Sequence, residues 1–373
     1  MSKVALLVSD KKYIRADING GVQLCTQEYI MYIQSAGYEV QEFHVAPSIS
    51  IAKRIKIKLG IDTYDHYNIG QYWSALIQTI NTSGIKLVFF NQLNLAVWAE
   101  ELKKHVMADV KFVGLSHGNE SADYLNDITK SGKTTFLQTW KLGKLLVKEN
   151  SLFTSALNGV IVLSELEVAI NHWIGADAIL YLPRLLKPNF IQWKPVKLTA
   201  GFVGTLDHLP NLLGIQYLAE ELQRSGFKYQ LELIGGPAST GERLANQYTF
   251  IRYVGPVSDE QLVEQVKTWS VFLNPVFWYA RGASTKLAQA INWGLPCLTT
   301  PAGRRGYHLN NEAIVAADNT PKTFAKAVIN ALADDAQLSA LKTASENNAE
   351  QFDMPPYIEQ LKDFLNLIAA TDN

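Results

Sequence analysis

Gly282-Ala283-Ser284-Thr285-Lys286-Leu-Ala-Gln289-Ala-Ile-Asn-Trp-Gly294-Leu-Pro296-Cys297-Leu-Thr-Thr300-Pro-Ala-Gly303 is the stretch on which the fold turns. A polar, glycine-bearing loop runs into a short helical segment, Gly294-Leu-Pro296 breaks the helix, and a buried strand leads to a second glycine-bearing loop. Where a loop enters a helix amino terminus, backbone N–H groups lack intrahelical acceptors and the positive end of the dipole is presented, a setting that suits phosphate. Lys286, in the first turn, would add a full positive charge, with Gly282, Ser284 and Thr285 as the donors beside it.

Similar strand-to-loop exits recur outward from this segment. Short apolar runs at 4–8, 40–45, 86–90, 110–115 and 160–163 form one series of candidate strands. A second series lies at 200–203, 230–234, 250–254, 271–274, 296–299 and 313–315. Continuous Val, Ile, Leu and Phe runs suit parallel strands covered on both faces, and their alternation with helical segments points to doubly wound α/β sheets. Between the series, Tyr181-Leu-Pro183-Arg-Leu-Leu-Lys-Pro188-Asn-Phe-Ile-Gln-Trp-Lys-Pro195 carries three prolines and no period, so it reads as a linker. The expected domains are 1–182 and 196–354. After Pro355-Pro356 a last helix over 355–373 carries one apolar stripe, Tyr357, Ile358, Leu361, Phe364, Leu365 and Ile368, that must pack on something.

Composition limits the function classes. The chain has 373 residues, 47% hydrophobic and 18% charged, with a net charge of −1. Two domains are the default at this length, and no global field recruits nucleic acid. Cys25 and Cys297 lie far apart and give no disulfide or metal pattern, which fits a reducing cytoplasm. The run at 4–8 is too short for a signal-peptide core, and no apolar run reaches the roughly 18 residues of a membrane span. Arg54-Ile-Lys56-Ile-Lys58-Leu59 reads as an extended segment with one basic and one apolar face, a half-buried edge strand or loop arm. The alternative reading is contact of Lys53, Arg54, Lys56 and Lys58 with anionic lipid at the inner face of a membrane or with a phosphorylated carrier.

Several exits carry candidate chemistry. Ile18-Asn19-Gly20-Gly21-Val22-Gln23 joins the first strand to a helix; spacing alone favours a plain tight turn, and the adjacent glycines also allow close backbone approach by a ligand. Leu115-Ser116-His117-Gly118-Asn119-Glu120-Ser121-Ala-Asp123 follows a strand, which places His117 where ligands of open parallel sheets gather. In the second series, Gly201-Phe-Val-Gly204-Thr205-Leu-Asp207-His208-Leu-Pro210-Asn211-Leu-Leu-Gly214 links a strand to a helix. Gly235-Gly236-Pro237 and Val254-Gly255-Pro256 end two more strands, and Pro275-Val-Phe277-Trp278-Tyr279 could line a site or fill the core.

In their order these segments resemble the GT-B glycosyltransferases of family 4, most closely over 282–306 and less so over 18–40 and 115–123. The resemblance implies two facing Rossmann-like domains with parallel sheets and an interdomain cleft, the final helix crossing back to the first domain. It implies transfer from a nucleotide-diphosphate sugar, with UDP, GDP and dTDP all open, to a glycan or lipid-linked acceptor in polysaccharide or glycolipid synthesis. Retention of configuration and no required cofactor or metal are also implied. Lys286 and an arginine of the Arg304-Arg305 pair would stabilise the departing diphosphate, and His117 would hold the transferred sugar, with Asp123 towards the acceptor. Gly20, Gly21, Gly204, Thr205, Gly235, Val254, Gly282, Ser284, Thr285 and Gln289 would line the nucleotide.

The chain also departs from that family's pattern. The usual Arg and Lys after the first strand of the second domain are absent, replaced by the variant Gly-x5-Pro-Asn-x2-Gly. The acidic pair Glu-x7-Glu becomes Arg281 and Gln289; glutamine still pairs with ribose hydroxyls, whereas arginine only donates. These changes keep two alternatives open, a non-catalytic GT-B-like binding protein and another GT-B enzyme such as a sugar-nucleotide epimerase. Ser131-Gly132-Lys133-Thr134 ends like a P-loop, but Asp127 stands where the first glycine is required.

Overall fold

The computed structural model describes residues 3–15, 20–47, 50–61, 64, 66–130, 132–196 and 198–370. The chain divides into two compact units, one of 1–184 with 353–373 and one of 185–352. Ile18 and Asn19 of the first glycine loop lie outside the described residues.

The first unit is built on a six-stranded parallel sheet, ordered β2-β1-β3-β4-β5-β6. Its strands are β1 (Lys3–Asp10), β2 (Tyr38–Val45), β3 (Leu87–Asn91), β4 (Lys111–Leu115), β5 (Gly159–Val162) and β6 (Ile179–Tyr181). β3, β4 and β5 are buried along their whole length, as continuous apolar runs between helical layers should be. The last strand, Ile-Leu-Tyr, is too short to stand out in the sequence and is held by its parallel register with β5. The helix Pro355–Ala370 packs on the helix Gly21–Ser35 and on β6, within this same unit. Its stripe buries Leu361, Phe364, Leu365 and Ile368, each worth about 1.5–3 kcal/mol relative to exposure. Gly159 makes room for it: a Cβ there would stand 2.6 Å from Ile368 Cδ1.

The second unit carries a five-stranded parallel sheet, ordered β11-β10-β7-β8-β9. Its strands are β7 (Thr199–Val203), β8 (Gln230–Ile234), β9 (Ile251–Gly255), β10 (Val271–Asn274) and β11 (Cys297–Thr299). Trp269, Phe202, Phe272 and Phe324 anchor its core. Gly201 lies flat against Trp269, with a virtual Cβ only 2.0 Å from the indole, so no larger residue fits there. Phe277 and Trp278 belong to this core, and Phe277 meets Phe324 edge-on at 5.8 Å.

Two expected segments take another form. Residues 313–315 are not a strand: Glu312–Ile314 is a 3-10 turn, and a single bridge joins Thr299 to Val315. The basic segment is not extended but a helix, Ile51–Lys58. Ser50 Oγ accepts from Lys53 N, and Gly60 at φ +72° closes the helix with Ile61 N bonded to Lys56 O. Alternating Ile and Lys fits a strand, but the two caps decide for the helix, in which Ile51, Ile55 and Leu59 form an i, i+4, i+8 row.

Candidate active site

In the second sheet the chain runs from β7 outward to β8 and β9, then returns to the other side of β7 as β10. β7 and β10 therefore flank the switch point of the topology, where loops leave in opposite directions and a crevice opens at the carboxyl ends. The loop of Gly204 and Thr205 leaves β7, and the one ending at Ser284 leaves β10. The helix Thr285–Asn292 begins between them with Ser284 as its cap, Oγ accepting from Leu287 N. Thr285 and Lys286 keep N–H groups with no intrahelical acceptor.

Lys286 lies over the end of β7. A Cβ on Gly204 (φ +153°) would fall 2.4 Å from Lys286 Nζ, so glycine is required for the lysine to cross there. The ammonium stands 5.1 Å from the Phe202 ring centre. Among the described residues it makes no ion pair and no hydrogen bond. The side chain keeps a strip of accessible surface, yet protein atoms crowd the ammonium itself. Desolvation, and then the charge of Arg305, lower its pKa to about 8. Lys286 thus meets a like charge and, among the described residues, no carboxylate, an arrangement that suits an anion.

The two arginines of the pair part company. Arg304 forms an ion pair with Glu312 at 2.7 Å, while Arg305 acts on Lys286, donates Nη1 to Ala302 O and lies 6.0 Å from the Tyr279 ring.

A polar network fixes the loop. Ser284 Oγ donates to Asn274 Oδ1 at 3.0 Å, and Asn274 Nδ2 donates to Thr299 Oγ1 and Gly303 O. Thr300 Oγ1 donates to Val276 O and accepts from Gly303 N, and Tyr307 OH donates to Ser284 O. Gly303 must be glycine, since a Cβ would sit 2.4 Å from Thr299 Oγ1. Buried and internally satisfied, such a network rigidifies the start of the helix. Asn274, Thr299, Thr300 and Tyr307 did not stand out in the sequence; a polar residue ending an otherwise apolar strand was their only signal.

The variant Gly-x5-Pro-Asn-x2-Gly has a structural meaning. Pro210 sits in the first turn of the helix Leu209–Arg224, Asn211 Nδ2 donates to Thr205 O at 2.7 Å, and Gly214 lets the helix close on the Pro275 carbonyl. These contacts set the positions of Thr205 and of the loop after β10. Gly235 (φ +125°) passes over Gly204 O, where a Cβ would meet it at 2.0 Å. Tyr253 OH donates to Gly235 O, and Val254 is half-buried at the end of β9. Gln289, exposed, follows Lys286 by one turn, and Arg281 and Gly282 precede the cap.

The first sheet has its own switch point between β1 and β3, since the chain goes from β1 out to β2 and returns as β3. Here Asn91, the last residue of β3, gathers a second cluster. Its Nδ2 donates to Ser9 Oγ at 2.8 Å and Thr26 Oγ1 at 2.9 Å, both hydroxyls donating in turn to backbone carbonyls. Asn91 Oδ1 is therefore left to accept from His117 Nε2, 2.6 Å away, with Tyr29 edge-on to the ring. This bonding logic puts the proton on Nε2, so that in the neutral ring Nδ1 is the acceptor. Gly118, at φ +121°, turns the chain away after the histidine. Gly20 caps the helix Gly21–Ser35, and Gln23 occupies the space a Cβ at Gly20 would need. Asp123 lies in the first turn of the helix Glu120–Lys130.

No group of His, Cys, Asp and Glu among the described residues could hold a metal ion. Cys25 and Cys297 are free and buried, and burial pushes both thiols up to about 12, too high for a thiolate nucleophile.

Residues 197–334 match the family described as glycosyl transferases group 1. No curated protein matches the sequence. Among solved structures, a sucrose-phosphate synthase from Thermosynechococcus elongatus aligns over 99% of this chain and 100% of its own, with TM-score 0.70 and 16% identity. Anabaena HepE, solved in complex with UDP and glucose, aligns over 98% and 100%, with TM-score 0.63 and 13% identity. The pneumococcal O-GlcNAc transferase GtfA, in complex with UDP and GlcNAc, aligns over 82% of this chain and 61% of its own, with TM-score 0.51 and 13% identity. The two parallel sheets and the likeness to these structures give the chain the GT-B fold, and residues 197–334, which hold the cationic helix start at the second switch point, match a glycosyl transferases group 1 domain.

Proposed function

We propose that the protein transfers a glycosyl group from a nucleoside-diphosphate sugar to a glycan or lipid-linked acceptor, with retention and without a required metal. The observation that carries this reading is the Lys286 ammonium, seated at a helix start beside Arg305 and given no carboxylate among the described residues. A diphosphate supplies the charge this place lacks. UDP is the first nucleotide to test, because HepE and GtfA were solved with it.

As the bond between the anomeric carbon and the diphosphate oxygen breaks, negative charge grows on the leaving phosphate. Lys286, Arg305 and the N–H groups of Thr285 and Lys286 stabilise it in place, with little reorganisation. The acceptor oxygen bonds to the anomeric carbon on the same face, and its proton passes to the departing phosphate oxygen. No carboxylate nucleophile is needed in this scheme. His117, held by Asn91, orients the transferred sugar, and Gln289 offers an uncharged amide to ribose.

The test is a panel of UDP-, GDP-, dTDP- and CMP-sugars, read by thermal stabilisation and by release of free nucleotide. One nucleoside diphosphate should stabilise the protein, and its sugar should turn over slowly in water and faster with an acceptor. No stabilisation by any member would overturn the donor assignment, and stabilisation without turnover on any acceptor would overturn transfer.

A further inference from the structure

Two neighbouring helices of the first unit turn apolar side chains to solvent. In Ile51–Lys58, Ile51 is 79% and Ile55 54% exposed, and Leu59 at the carboxyl end continues their row. In Phe136–Ser151, Phe136 (85%), Trp140 (47%) and Val147 (69%) share one outward face. Gly60, just past the first helix, packs on the second; a Cβ there would stand 3.0 Å from Lys141 Cα. Large apolar residues exposed together in this way mark an interaction surface.

The charge carried by the two helices themselves names the partner. Every charged residue in 50–61 and in 132–148 is Lys or Arg, in a chain whose net charge is −1. Arg54 and Lys58 flank the isoleucine row on one side and Lys56 on the other, while Lys144 lies over the Trp140 ring at 4.8 Å. Lys53 turns inward, its Nζ donating to Tyr67 O at 3.4 Å, and is not part of this rim. A second copy docked by two-fold symmetry would bring the same basic rim against itself, which like charges oppose. An apolar row between lysines and arginines suits the boundary of an anionic bilayer, and no described helix is long and apolar enough to cross one.

We propose that this surface seats the protein on an anionic bilayer. Ile51, Ile55, Phe136 and Trp140 enter the headgroup region, and Arg54, Lys56, Lys58 and Lys144 meet the lipid phosphates. This deepens the reading of a lipid-linked acceptor, but it stands on burial and charge in the first unit and is tested apart from transfer.

The experiment is co-sedimentation of the full chain with phosphatidylcholine vesicles, with and without phosphatidylglycerol. Binding is expected only to the anionic vesicles and should weaken with added salt. Reversing Arg54, Lys56 and Lys58 to Glu should weaken it about a hundredfold or more. Phe136→Ser with Trp140→Ser should weaken it roughly tenfold at unchanged charge. Both variants should keep the wild-type circular dichroism and thermal midpoint, and any stabilisation by nucleotide, so failure here is distinct from failure of the donor assignment. No binding to anionic vesicles at low salt, or equal binding by both variants, overturns the proposal. So does a wild-type dimer that the Phe136→Ser, Trp140→Ser pair dissolves, which makes the surface a contact between copies.

Discussion

Replacing Lys286 with Met should make the empty protein more stable and its nucleotide complex weaker. Methionine keeps the unbranched stem that lies over Phe202 and Gly204 but removes the charge. Holding the ammonium at a pKa of about 8 instead of 10.5 costs the folded state roughly 3 kcal/mol at neutral pH. Allowing for the solvent its accessible strip still meets reduces this to about 2 kcal/mol. Loss of the cation–ring contact offsets about 0.5–1 kcal/mol. A net gain of about 1–1.5 kcal/mol remains, a rise of some 2–6 °C in the midpoint for a unit of this size. The pH dependence has a definite sign. The folded pKa lies below the unfolded one, so between pH 8 and 10.5 the folded protein binds fewer protons than the unfolded chain. Raising the pH through that window therefore stabilises the wild type, and the gap to Lys286→Met should close towards pH 10.5. With the stabilising nucleoside diphosphate the order reverses: a charge-assisted contact of about 1.5–3 kcal/mol disappears, and Kd should rise roughly 10- to 100-fold. Thermal melts across pH, with calorimetric titration of the nucleotide, measure both halves. A variant that melts no higher than wild type at pH 7, or that binds nucleotide equally well, refutes this account of the lysine.

Gly204→Ala should displace the Lys286 ammonium, so nucleotide binding should fall well before secondary structure does; calorimetry and circular dichroism separate the two. Arg305→Gln should raise the Lys286 pKa by removing a like charge and weaken nucleotide binding, whereas Arg304→Gln, which breaks an exposed pair with Glu312, should change stability by less than about 1 kcal/mol. Equal effects of the two on nucleotide affinity would contradict the division drawn between them. Ser284→Ala removes a helix cap and should cost about 1 kcal/mol in denaturant unfolding, with weaker nucleotide binding as the helix start loosens. His117→Ala should lower turnover about 100-fold while leaving stabilisation by free nucleoside diphosphate intact, and Asn91→Ala should reproduce part of that loss.

Residues whose role is local were legible in the chain. The apolar runs announce most strands because parallel strands buried on both faces need continuous hydrophobic sequence. Gly294-Leu-Pro296 announces a helix end, and there Leu295 N closes onto Ala290 O. Where two local rules compete, pattern alone misleads: Ile and Lys alternate over 54–59, yet Ser50 and Gly60 make the segment a helix. Residues 313–315 are apolar enough for a strand but make only one bridge.

The sequence by itself determined that the chain is built from two series of parallel strands and that Lys286 stands at a helix start. Propensity, periodicity and capping act over a few residues and are written where they act. Only the tertiary structure decided what Lys286 meets. Strand order puts β7 beside β10, so Gly204, Phe202 and Arg305 surround one ammonium although up to about a hundred residues separate them in the chain. The same holds for Asn91 and His117, joined across neighbouring strands by a hydrogen bond that fixes the tautomer. Charge, desolvation and proton placement depend on distances in space, and those exist only once the sheets have formed.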